Sequence, residues 1–196
     1  PLVVDASVVE AAEAAADVEH KGALMRVVPF RIKTAAILAT GSEVQKGLIE
    51  DKFTPVVEKK LAAFGIKSVH YAKPGDDIDT LVAAIHEAQH LGVDMIVCTG
   101  GMSVDPDDNT PGAIKRSGAH IVTYGAPVLP GAMRCLGYLD AANSSASQIP
   151  ILGLPGCVMY SATTVFDLVL PRIAAGIELT KDDFVALGEG GLIVKE

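Results

Sequence analysis

Asp94-Met95-Ile96-Val97-Cys98-Thr99 runs straight into Gly100-Gly101-Met102-Ser103-Val104-Asp105-Pro106-Asp107-Asp108-Asn109-Thr110-Pro111, and this stretch decides the fold. A short apolar run ended by two glycines reads as a strand buried on both faces that opens into a polar loop. Thr110-Pro111 then reads as an N-cap with proline at the first helical position. Strand, polar loop and helix in that order are half of a β-α-β crossover.

The same alternation continues on both sides. Thr34 to Thr40 reads as a buried strand, followed by the polar loop Gly41 to Phe53 and a helix from Thr54 to Phe64, with Thr54 as N-cap and Pro55 behind it. Ile66 to Tyr71 is a second strand, and Ile78 to Leu91 a helix capped by Asp77. Beyond the central stretch, Ile121 to Tyr124 and Ile149 to Leu152 read as strands, and Cys157 to Ala174 as one long final helix. Ala141 to Ser147 reads as a loose polar loop. Strands joined by helices of this length predict right-handed crossovers and an α/β fold: three layers, with a mostly parallel sheet covered on both faces. Ligands of such sheets bind beyond the carboxyl ends of the strands. The loops after Thr40 and Thr99 therefore become neighbours there.

Before this domain, Ala6 to His20 is Ala-rich, with Val8, Val9, Ala12 and Ala16 at helical spacing. We read residues 1–32 as a helix and connector, 33–178 as the main domain and 179–196 as a tail. The chain starts at Pro1 without methionine, which reads as a processed chain or a piece of a longer one.

The chain has 196 residues and a formal net charge of −8. That balance repels nucleic acid and anionic membranes, and no Lys/Arg run offers a local exception. The apolar stretch from Cys157 to Gly176 is broken by Asp167, Pro171 and Arg172, so it does not read as a membrane span. Cys98, Cys135 and Cys157 form no C-x-x-C pair and read as reduced thiols of a cytoplasmic protein.

Several groups could carry chemistry. Thr40-Gly41-Ser42-Glu43 opens the first loop, and Gly100-Gly101 with Ser103 the second; adjacent glycines let backbone N–H groups approach an anion. The acids behind them sit oddly beside an anion, and a divalent cation bridging carboxylate and phosphate would reconcile the two. A solvated loop with helix-start residues is the plainer reading, and it suits Thr110 better than Asp108. Asp77 as a cap leaves Asp76 to face the cleft. Gly153-Leu154-Pro155-Gly156, ahead of a helix, offers a second phosphate seat. His86-Glu87-Ala88-Gln89-His90 matches the zinc-protease pattern H-E-x-x-H. Its histidines, however, flank the apolar stripe of Ile78, Leu81, Val82 and Ile85, and no third ligand follows, so we read them as surface residues.

Taken together, TGSEV at Thr40, Gly75-Asp76-Asp77, TGGMSVDPDDNT at Thr99, Leu129-Pro130-Gly131 and GLPG at Gly153 resemble the molybdopterin-binding domain shared by molybdopterin adenylyltransferases, molybdotransferases and gephyrin-like proteins, over about Arg31 to Gly176. GGMSV and Glu43 look closer to the molybdotransferase branch, and the competence-damage-inducible CinA family shares several motifs. The resemblance implies a MogA-like fold binding molybdopterin or its adenylate, with Mg²⁺ and molybdate, in a cytoplasmic homo-dimer or trimer. By position it assigns Glu43, Asp76 and Asp108 as catalytic and metal-holding acids. It assigns Thr40, Gly41, Ser42, Gly100, Gly101, Ser103, Thr110, Pro130, Gly131, Pro155 and Gly156 to the ligand. The implied activity is molybdate insertion with adenylate hydrolysis; a non-catalytic carrier and an adenylyltransferase are the alternatives. Four positions depart from the pattern: Leu129 and Ala132 stand where lysines are usual, Ser42 where Asp is common, and Cys157-Val158 where Asn-Pro is usual. Arg134 is the nearest cation that could replace a lost lysine.

Overall fold

The computed structural model describes residues 3–20, 27–103, 105, 108–141 and 148–188. Among them, six strands form one sheet in the order β2-β1-β3-β6-β5-β4: β1 Thr34–Thr40, β2 Lys67–Gly75, β3 Met95–Thr99, β4 His120–Tyr124, β5 Cys135–Asp140 and β6 Gln148–Leu154. β1 pairs in parallel with β2 and β3, and β3 with β6. β5 runs antiparallel to both β6 and β4, so it alone is reversed. The expected three-layer arrangement with a mostly parallel sheet is therefore present.

Alternation along the strands divides the core in two. Ile37, Val97 and Leu152 face one layer, built from α3 (Phe53–Ala62), α6 (Cys157–Tyr160), α7 (Val165–Ala174) and α8 (Lys181–Val185). Leu38, Ile96 and Ile151 face the other, built from α4 (Ile78–His90) and α5 (Thr110–Arg116). Burial on both faces explains why these strands read as unbroken apolar runs. α1 (Ala6–His20) forms as expected, but its Val8 and Val9 are exposed and do not join this core.

Several local expectations are corrected. Thr54 does not cap α3: the Asp51 carboxylate accepts from the N–H groups of Phe53 and Thr54 and from the Thr54 hydroxyl, satisfying donors that one threonine could not. Thr110 is likewise inside α5, which Asn109 precedes. Asp77 does cap α4, accepting from Thr80 N–H at 2.9 Å. The helix expected over Cys157 to Ala174 is two helices. Thr164 and Asp167 form a capping box that starts α7 afresh, and Phe166 and Leu170 then turn into the core. β5, the four-residue α2 (Ser42–Gln45) and α8 were not anticipated. The loop at Ala141 to Ser147 lies outside the described residues after Ala141.

α8 shows that packing continues past residue 178. Phe184 is buried, and the helix is held by a Thr180–Asp183 capping box and by Arg172, whose guanidinium lies 2.7 Å from Asp183. The Thr180 N–H, then Arg172 and the Thr180 hydroxyl, hold the Asp183 carboxyl down at about 2. A depressed folded value stabilises the fold above the ordinary aspartate range and loses that contribution as pH falls toward 2. Melting temperature followed from pH 5 to pH 2 should therefore fall less steeply in Asp183→Asn than in the wild type. Parallel curves would show that α8 does not contribute to acid stability.

Candidate functional site

β1 and β3 end side by side, and their last residues begin the site. Thr40 donates its hydroxyl to the Thr99 carbonyl at 2.8 Å. Gly100 and Gly101 follow in the left-handed region, with φ of 88° and 57°. Thr110, buried at the start of α5, donates to the Gly100 carbonyl at 3.0 Å and lies 3.4 Å from the Thr40 hydroxyl oxygen. A side chain on Gly101 would place Cβ 2.5 Å from the Thr110 hydroxyl oxygen, and one on Gly100 would stand 2.9 Å from that of Thr40. Both glycines are required by space as well as by backbone conformation. Thr40 and Thr110 thus act here by fixing the glycine backbone.

Asp76 joins the two polar loops. Its carboxylate accepts from the Ser42 N–H at 2.6 Å, and its carbonyl accepts from the Asn109 side-chain amide at 2.9 Å. Residues of the two loops and of the turn into α4 are therefore brought together, as the topology predicts. Asp108 bends the second loop on itself: its carboxylate accepts from the N–H of Ser103 and from the Ser103 hydroxyl. Tyr124 reaches the same loop with its hydroxyl 3.4 Å from the Ser103 carbonyl. Val104, Pro106 and Asp107 lie outside the described residues.

Glu43 is exposed in α2, while one carboxylate oxygen of Asp76 accepts from Ser42 and one of Asp108 from Ser103. Among the described residues, no three His, Cys, Asp or Glu side chains are grouped so that they could hold a metal. The H-E-x-x-H histidines bond separately, His86 Nε2 to the Ser117 carbonyl at 3.0 Å and His90 Nδ1 to the His86 carbonyl at 2.7 Å. His86 is half-buried and His90 exposed.

The remaining expected residues form a second group. The Pro130 carbonyl accepts from Val165 N–H at 3.0 Å, and buried Gly131 packs against the start of α7. Partial burial pushes the Cys157 thiol up, opposed by the N–H groups of Cys157, Gly131 and Val158 that face its sulfur. The Leu129–Gly131 turn and the Pro155-Gly156 loop therefore meet. α6 has only four residues, however, and its Val158 and Met159 N–H groups already bond the carbonyls of Pro155 and Gly156, so the phosphate seat expected there is weakened. Arg134 does not replace a lysine. It is 1% exposed, with its guanidinium 3.4 Å over the Phe184 ring and one bond, 3.1 Å, to the Gly125 carbonyl. Burial pulls this guanidinium down to about 10.

A cavity of about 520 Å³ opens over Thr40 and Gly100, walled by Ile49, Phe53, Met159 and Tyr160 and edged by Glu50, Asp51 and Lys52. Apart from Asp51, an acid of the first polar loop, the sequence singles out none of these wall and edge residues. Ile49 and Tyr160 leave apolar surface exposed there. A cavity of about 680 Å³ at the opposite end of the sheet is lined in part by Asp94, one of whose carboxylate oxygens accepts from the Lys33 and Thr34 N–H groups and the Thr34 hydroxyl.

Residues 36–175 match the family model described as a probable molybdopterin binding domain, most of the chain. The chain belongs to this family. Its fold is shared with the tungsten cofactor synthesizing protein MoaB from Pyrococcus furiosus, with 20% identity, a TM-score of 0.57 and coverage of 73% of this chain and 93% of that one. It is also similar to the molybdopterin biosynthesis enzyme MoaB from Thermus thermophilus, with 17% identity, a TM-score of 0.56 and coverage of 74% and 98%. A CinA-like protein of Desulfosudis oleivorans is 37% identical over 83 residues, 42% of this chain and 20% of that protein. A second, from Thermosipho melanesiensis, is 34% identical over 86 residues, 44% and 21%. The chain thus spans about a fifth of the length of these curated relatives. Within the family, the similarity does not single out the molybdotransferase branch.

Thr110→Val tests the glycine loop. Losing one buried donor should cost about 1–2 kcal/mol, read by urea unfolding, while Val keeps the volume. Gly101→Ala should cost more, because it adds a collision to an unfavourable φ. Equal stability of both variants and wild type would show that the loop is not held by these contacts.

Proposed function

We propose that this domain binds molybdopterin or molybdopterin adenylate in the cleft over β1 and β3. The observation that carries the reading is the meeting of Thr40, Gly100, Gly101 and Thr110 beneath a cavity of about 520 Å³, a size suited to one small molecule. Of the second loop, Gly101 offers its backbone N–H to phosphate, the Gly100 N–H reaching the Leu154 carbonyl at 3.4 Å and that of Ser103 being held by Asp108, and Asp76 sets the opposite loop that contributes Gly41 and Ser42. Family membership supplies the ligand class.

Binding is a better supported role than turnover. Leu129 is 70% exposed where a lysine would serve an anion, and two of the three acids, Asp76 and Asp108, shape loops. A carrier that holds the pterin and hands it to another protein needs affinity alone. The transferase reading, insertion of molybdate with hydrolysis of the adenylate, rests on Glu43, which stays exposed next to the Ser42–Asp76 bond. Adenylyl transfer from ATP is the third form of the same site. Release of AMP in the presence of molybdate marks the second, and release of pyrophosphate from ATP and molybdopterin the third.

Calorimetry with molybdopterin adenylate, with and without Mg²⁺, should show saturable binding by the wild type, and its absence would end the proposal. In Asp108→Asn, affinity should fall about tenfold, or about 1.4 kcal/mol, with the melting temperature nearly unchanged. A loss that is equal with and without Mg²⁺ assigns Asp108 to loop shape. A loss confined to Mg²⁺-containing samples assigns it to a cation that assembles with the ligand.

A further inference from the structure

Tyr160 is the largest apolar surface left exposed at the site. It is 85% exposed, and among the described residues its side chain makes no hydrogen bond or ring contact. Its position is nevertheless fixed. α6 ends at Tyr160, and Val158 two residues earlier is buried. Beyond it, Lys60 holds the segment by donating to the Ala162 carbonyl at 2.9 Å and by pairing with Asp167 at 2.5 Å. The backbone that carries the ring is thus tied down on both sides while the ring itself stands in solvent.

Two cavities share this ring. Tyr160 and Met159 line the cavity over Thr40 and Gly100 and also an adjoining one of about 770 Å³ along α3, walled by Pro55, Val56 and Phe64 with Lys59 at its edge. An aromatic side chain held at such a junction, without a partner, presents a flat face to whatever enters. Ile49 and Phe53 form the facing wall, and Glu50 and Lys52 supply polar groups at the edge, suited to the N–H and acceptor rim of a heterocycle.

We infer that Tyr160 is the platform on which the planar heterocycle of the bound ligand stacks, while the phosphate end lies over Thr40 and Gly100. This rests on the ligand reading above and adds a specificity-determining residue to it. Stacking needs a ring and not a hydroxyl, so Tyr160→Phe should retain the function and Tyr160→Ala should lose it. A ligand without a planar heterocycle should be indifferent to both changes, which a merely structural role for Tyr160 would not allow.

The test is titration of the full chain and of both variants with AMP, molybdopterin adenylate and ribose 5-phosphate. Tyr160→Ala should bind AMP and molybdopterin adenylate about tenfold more weakly, equivalent to about 1.4 kcal/mol, with Tyr160→Phe near wild type, ribose 5-phosphate unchanged and melting temperature unmoved. Unaltered affinity of Tyr160→Ala for both ring-bearing compounds overturns the platform and leaves the ligand reading standing. An equal loss for ribose 5-phosphate also overturns it, in favour of a structural role. Tyr160-dependent binding of AMP without binding of molybdopterin adenylate supports the platform and rejects the ligand reading. Failure of the wild type to bind either ring-bearing compound rejects both.

Discussion

Thr40, Gly101 and Thr110 compete for one small volume at the end of the central strands, and only a glycine backbone fits between the two hydroxyls. Most of the site follows from that crowding. It fixes the direction in which the chain leaves β3, and so the path of the second polar loop toward α5. It also consumes the polar groups of two threonines, so that the surface presented to the cleft is backbone and not side chain. Backbone dipoles anchored in this way keep their orientation without a ligand, the condition under which they are most useful to an anion.

Around this point, acids act as struts. Asp76 spans from the turn before α4 to both loops, Asp108 draws Ser103 back on itself, and Asp51 gathers the first turn of α3 and the Tyr71 hydroxyl. At Asp51, burial raises the carboxyl while the bonds from Thr54, Tyr71 and Phe53 outweigh it and leave it lowered. A carboxylate accepts several bonds at once, which is why these loops can be irregular yet ordered. The same economy explains why a chain with a net charge of −8 does not present all of its acids to its ligand.

Patterns that repeat along one element were legible in the sequence. The buried runs at Thr34 to Thr40 and Met95 to Thr99, the Asp77 cap and the order of the crossovers were all readable, and with them the meeting of the two polar loops at one end of the sheet. What escaped depends on contacts between distant residues. β5 contains Gly137 and ends on Asp140, so its short run carries no clear period, and its identity comes from pairing with β6. The break at Thr164 needed the recognition that Asp167 answers it across one turn. Thr54 and Thr110 looked like caps because each precedes proline, yet Asp51 in one case and burial against Gly100 in the other took the hydroxyl elsewhere. Ile49 and Phe53, four residues apart, meet Tyr160 from a distant part of the chain only at the cavity.

The reversal of β5 has a consequence for how the domain assembles. β4, β5 and β6 are consecutive antiparallel neighbours and can pair over short loops. β3 meets β6 across a separation of 55 residues, Ile96 against Ile151, and β1 across one of 60, Ala35 against Met95. Contacts of that range are entropically the slowest to form. The seam between β3 and β6 is also where the Gly100 N–H reaches the Leu154 carbonyl, at 3.4 Å. The glycine loop thus takes contacts from both sides of that seam, from Thr40 of β1 and from Leu154 of β6, so its finished shape belongs to the closed sheet and to neither part alone.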